Sequence, residues 1–237
     1  MEIIKGNNSE NIALKETLIG LVKIKIGLVP VIGSAINEFL FEIGGRVKQN
    51  RINEFVEVLS ERVRAIEETK LNSEYLNSGD FFDITTKVFE TATNIKQQQK
   101  HKALANLYID AIRNKAVLDN SIYAMFANFI SNLNSFQILL LNFINKNENQ
   151  LSEIGTYEIF YGFFQNAHPE NIIDKYEFKY YSNDLEIKAL VSFGAGLEDF
   201  DSTSQIKVSE GHREPSVKLS TLGLKFIAYL NQGNSKI

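Results

Sequence analysis

The 237-residue chain has no cysteine and no tryptophan, and only three prolines and three histidines. Without cysteine there is no disulfide, no thiolate metal ligand and no sulfur nucleophile. That usage fits a reducing cytoplasm. Scarce proline favours helices, because proline lacks an N–H and clashes with the preceding turn. His101, His168 and His212 lie far apart, and none has the HxxxH-type companion that a zinc site uses. His101, between Lys100 and Lys102, is expected to be exposed. His168, before Pro169, reads as a helix-end residue, and His212 as part of a hairpin tip. There is no GxSxG elbow and no Walker A sequence. Gly44-Gly45 and the Gly-Ala-Gly at 194–196 read as a bend and a helix stop. The acidic residues Glu198, Asp199 and Asp201 read as a solvated turn. No cofactor is expected.

Basic charge is not in excess either: 25 Lys and Arg stand against 29 Asp and Glu, a formal net charge of −4. Strong nonspecific nucleic-acid binding needs the opposite balance. The first residues lack the basic start, apolar core and small-residue cleavage site of a secretion signal. No uncharged apolar run reaches the ~20 residues that span a bilayer.

What the chain does have is a 44% hydrophobic composition distributed in helical periods. From Arg51 onward, Ile52, Phe55, Val56, Leu59, Val63 and Ile66 recur at steps of three and four. They form one stripe, with Glu54, Glu57, Ser60, Glu61 and other polar residues opposite. Before it, residues 18–37 form a glycine-rich apolar hairpin turned at Pro30, with Ser34 as the N-cap of its second helix. Two readings of the hairpin stand. It is a buried pair whose glycines allow close packing, or a segment that leaves the core for a bilayer or a partner. The cations Arg46, Lys48 and Arg51 follow it directly and suit anionic headgroups at about 1 kcal/mol each.

Further helices are expected from Asp80 or Asp83 to Asn94, from an exposed start in the glutamines at 97–99, from Asn120, and over 136–144. Asn134-Ser135 breaks the chain between the last two. The aromatics Tyr157, Phe160, Tyr161, Phe163 and Phe164 carry no interleaved cations and read as core rather than as a nucleobase platform. Residues 171–181 and 185–193 read as two more helices. Ile206, Val208, Val217 and Leu219 alternate like a two-stranded ribbon. Ser220 or Thr221 caps a closing helix. The order resembles a winged helix. The candidate reading helix at 185–193 offers only Lys188 and Ser192 to bases, and the ribbon adds Lys207, Arg213 and Lys218. The fold class is therefore mainly α: a multi-helix N-terminal bundle over 1–118 and a helical, winged-helix-like α+β portion over 119–237.

Three segments carry a family resemblance. Ala105, Asn106 and Leu107 lie in a helix at 102–112, and Leu133, Gln137 and Leu139 lead into an apolar run. Leu219, Thr221, Leu222, Gly223 and Phe226 close the chain, with Ser220 inserted before the threonine. Together these resemble the bacterial Abi-alpha type of phage abortive-infection protein, over half to three-fifths of the chain. The resemblance implies a role in phage defence and supplies no catalytic residues. The expected function is a non-enzymatic, cytoplasmic antiphage protein. It would act by binding a protein partner or itself, or by recruitment to the inner membrane through residues 18–37 and Arg46, Lys48 and Arg51. The alternative is a DNA-binding regulator using Lys207, Arg213 and Lys218.

Overall fold

A computed structural model describes residues 46–64, 73–76, 78–113, 120–152, 154–194 and 216–231. The hairpin at 18–37, Gly44-Gly45, the acidic turn, Ile206, Lys207, Val208, His212 and Arg213 lie outside these residues. The described chain is mainly helical with a small antiparallel sheet near its end. It divides into two compact units, one running to Asn132 and resuming at Tyr229, the other spanning Leu133–Ala228.

The first unit contains α1 (Arg46–Arg64), α2 (Ser73–Leu76), α3 (Gly79–Asn94), α4 (Gln98–Arg113) and α5 (Asn120–Asn132). The stripe of α1 is buried as its spacing predicts: Ile52, Phe55, Val56, Leu59 and Val63 are all at most 3% exposed. Burying each such side chain contributes about 1.5–3 kcal/mol, far more than any exposed charge pair. Ser60 departs from the expected polar face. It is buried, and its hydroxyl donates back to the Val56 carbonyl at 2.7 Å. The helix packs mostly on α4 and α3. Phe55 meets Phe89 edge-on at 5.4 Å, and Tyr108 stacks on Phe81 at 5.8 Å.

Two details of this unit differ from the sequence reading. The cap of α3 is Ser78, whose Oγ accepts from the Phe81 N–H at 3.2 Å, rather than Asp80 or Asp83. In α5 the buried face is Tyr123, Phe126, Ala127 and Ile130, while Ile122, Met125 and Phe129 are half-buried. The helix is turned so that the Tyr123 hydroxyl reaches Asp110. Because α5 packs on α3 and α4, it belongs with the first unit. The units therefore divide after Asn132 and not after 118.

The second unit contains α6 (Ser135–Lys146), α7 (Glu148–Leu151), α8 (Tyr157–Ala167), α9 (Lys175–Ile187), β1 (Val191–Phe193), β2 (Val217–Leu219) and most of α10 (Thr221–Asn231). Asn134 and Gln137 start α6 with a reciprocal capping box: Gln137 N–H donates to Asn134 Oδ1 at 2.8 Å and Asn134 N–H to Gln137 Oε1 at 3.0 Å. In the aromatic-rich helix α8, Tyr157, Phe160 and Phe164 are core, while Tyr161 and Phe163 are half-buried. Phe160 and Phe164 are fully buried against Phe178 at 4.9 and 5.4 Å.

The two helices expected over 171–193 are one helix and a strand. Asp174 caps α9 by accepting from the Tyr176 N–H at 2.8 Å. The helix ends in a Schellman turn: Leu190 N–H donates to the Leu185 carbonyl at 3.0 Å and Ala189 N–H to Glu186 at 2.7 Å. Ala189 sits at φ 54°, where glycine is usual. An alanine there costs about 1–2 kcal/mol relative to right-handed backbone. Ala189→Gly is therefore expected to raise stability by about 1 kcal/mol in urea denaturation; no gain would mean that the turn is not strained. Beyond it Val191, Ser192 and Phe193 pair antiparallel with Leu219, Lys218 and Val217. The C-terminal portion is α+β as expected, but residues 185–193 do not form a winged-helix reading helix.

Candidate interaction surfaces

Of the cations placed at the start of α1, Lys48 is exposed. Arg51 points inward, and its Nη1 donates to the Thr93 carbonyl at 2.8 Å. Thr93 lies in the last turn of α3, where carbonyls lack helical partners, so Arg51 ties α1 to that helix end. The side chain of Arg46 lies outside the described residues. Of the alternative set, Lys207 and Arg213 also lie outside them, and Lys218 is exposed on β2 opposite Ser192. Lys188 is the C-cap of α9 and ion-pairs with Asp184.

The exposed face of α1 forms one wall of a groove of about 640 Å³. Glu54, Glu57 and Glu61 line it from α1, and Lys96, Gln98 and Lys102 from the start of α4 and the residues before it. Beside this wall lies His101, which is completely buried rather than exposed. Neither ring nitrogen has a hydrogen bond of good geometry, and Nδ1 is 3.7 Å from Glu54 Oε2. Burial holds its pKa below the usual histidine value, and Arg51 acts in the same direction. The Ala92 carbonyl and the Glu54 carboxylate oppose them. Among the described residues, no three His, Cys, Asp or Glu come together to hold a metal.

A histidine kept neutral by folding destabilises the native state in acid. Its contribution is undiminished above the unfolded value of about 6.5. It is lost as pH falls from there toward the depressed native value, because protons then bind the unfolded chain more readily. His101→Leu is expected to match or exceed the wild type in stability at pH 7. It should also lose less stability between pH 7 and pH 5. Parallel pH curves for the two proteins, from urea denaturation, would contradict this.

Two further polar residues of α4 are buried: Asn106, which is among the residues that carry the family resemblance, and Lys100, which had no such signal. Lys100 follows exposed glutamines but is itself buried, and its ammonium donates to the Ser131 carbonyl at 2.7 Å. A cation there suits the negative end of α5. Burial lowers its pKa. Asn106 accepts from Arg62 Nε at 2.6 Å and donates to the Tyr229 carbonyl at 2.8 Å. One turn on, Asp110 Oδ2 accepts from Tyr123 at 3.1 Å and Tyr229 at 2.8 Å. Burial first, and then the Asp110 carboxylate, push both phenols well above the ordinary tyrosine pKa. This network fixes the last turn of α10 within the first unit.

The second unit carries an exposed apolar face that neither its core nor its network accounts for. Along α9, Tyr176, Tyr180 and Ile187 are 54%, 67% and 84% exposed, and Ile172 just before the helix is 94% exposed. Steps of four and seven put the three helical residues on one stripe. Isolated exposed apolar residues are ordinary, whereas these three share one face of a single helix.

No protein-family model, curated protein or solved structure matches the chain. The described surface offers a groove of mixed charge in the first unit and a tyrosine-rich face in the second. The groove holds charges that water solvates well. The α9 face holds side chains that gain by leaving water, which makes it the better binding surface. The sequence pointed to α9 only as a helix. Its second apolar face is hidden in the general richness of YEFKYYSNDLEI, where Phe178 and Leu185 are core and Tyr176, Tyr180 and Ile187 are not.

Proposed function

We propose that this chain is a non-enzymatic bacterial antiphage protein of the abortive-infection type, acting by binding a protein partner. The observation that carries the reading is the exposed Tyr176, Tyr180 and Ile187 stripe on α9. Tyrosine is favoured in interfaces because one large rigid ring offers both apolar area and a hydroxyl. Phage defence itself comes from the sequence resemblance. Its Asn106 and Gly223 each have a tertiary role here, the first through its bonds to Arg62 and Tyr229, the second through close approach to Leu190.

Membrane recruitment is the form of this reading that uses residues 18–37 and the exposed Lys48. Among the described residues, no single helix is long and apolar enough to cross a bilayer. The DNA-binding alternative has less support, because 185–193 supplies no reading helix.

The test is plating efficiency of phage on cells expressing the wild type or Tyr180→Glu/Ile187→Glu. Both positions are exposed, so folding is expected to be unchanged. Protection should fall toward that of empty cells at equal protein level. Full protection by the variant would sink partner binding through α9. Dye release from anionic vesicles by the wild type would favour the membrane form, and a duplex gel shift at low salt the DNA-binding one.

A further inference from the structure

We draw no further inference here: the strongest candidate, the exposed face of α9 formed by Tyr176, Tyr180 and Ile187, carries nothing beyond the partner-binding reading above, because nothing in the structure shows what covers it.

Discussion

Gly223→Ala should destabilise the protein by about 3 kcal/mol, although helix propensity alone predicts a gain of about 1 kcal/mol for the same change. A Cβ built at Gly223 would lie 1.9 Å from the Leu190 carbonyl oxygen and 2.9 Å from its carbon. The obstacle is backbone, so no rotamer change relieves it. Nor can Leu190 retreat cheaply. Its carbonyl accepts the Ser220 N–H at 3.1 Å, its N–H closes the Schellman turn of α9, and its side chain is fully buried. Ser220 is tied to the same turn by donating to the Ala189 carbonyl, and it caps α10 by accepting the Gly223 N–H at 2.9 Å. Gly162 is the control. It lies inside α8 with nothing within 4 Å of its would-be Cβ, so Gly162→Ala should show the ordinary gain. Urea denaturation of the pair gives opposite signs if close approach governs Gly223. Two gains of similar size would refute it.

The second large effect is expected at Asn106. Asn106→Leu keeps the side-chain volume nearly constant and removes both polar contacts. Arg62 and the Tyr229 carbonyl are then left without their partner, in a site where Asn106 itself is only 7% exposed. Stranding buried polar groups costs about 1–3 kcal/mol each, more when one is charged, so a loss of about 3 kcal/mol is expected. Arg62 already feels its partial burial, which lowers its pKa, with Glu61 opposing. A double-mutant cycle separates this from a packing defect. Arg62→Met should cost less in the Asn106→Leu background than in the wild type, since its partner is already gone. Additive losses would mean that the two residues act independently. Because Asn106 also holds the last turn of α10, the variant should expose that turn to hydrogen exchange before the rest of the first unit.

Both effects fall on residues that the family resemblance singled out, and both are matters of tertiary contact. Asn106 and Gly223 serve to place α10 and to let it approach Leu190 closely. They are residues that build a fold, and a chain that resembles others at such positions resembles them first in architecture. The proposed partner binding rests instead on the α9 face.

Much of the helical layout was legible without coordinates, because its causes are local. The α1 stripe, the break at Asn134-Ser135, the helix end at Asn94, the stop at His168 and the capping of α10 at Ser220 all follow from signals within about one turn of the residue concerned. Periodicity and capping chemistry act over three or four residues, and the sequence carries them in full. It also placed Tyr157, Phe160 and Phe164 of α8 in a core, since a cluster without cations gains more by burial than by display, while Tyr161 and Phe163 are only half-buried.

What the sequence could not decide depends on partners distant along the chain. Val191, Ser192 and Phe193 form a strand because residues 217–219 lie alongside them; locally they continue a helical pattern. The buried face of α5 is set by Asp110 on another helix, which draws Tyr123 inward. His101 and Lys100 look like solvated residues among glutamines and lysines, and burial against other helices overrides that appearance. The exposed stripe of α9 likewise emerges only once Phe178 and Leu185 have claimed the core. Local order is written residue by residue, whereas burial, strand pairing and surface are properties of the packed chain, fixed by which distant side chains arrive.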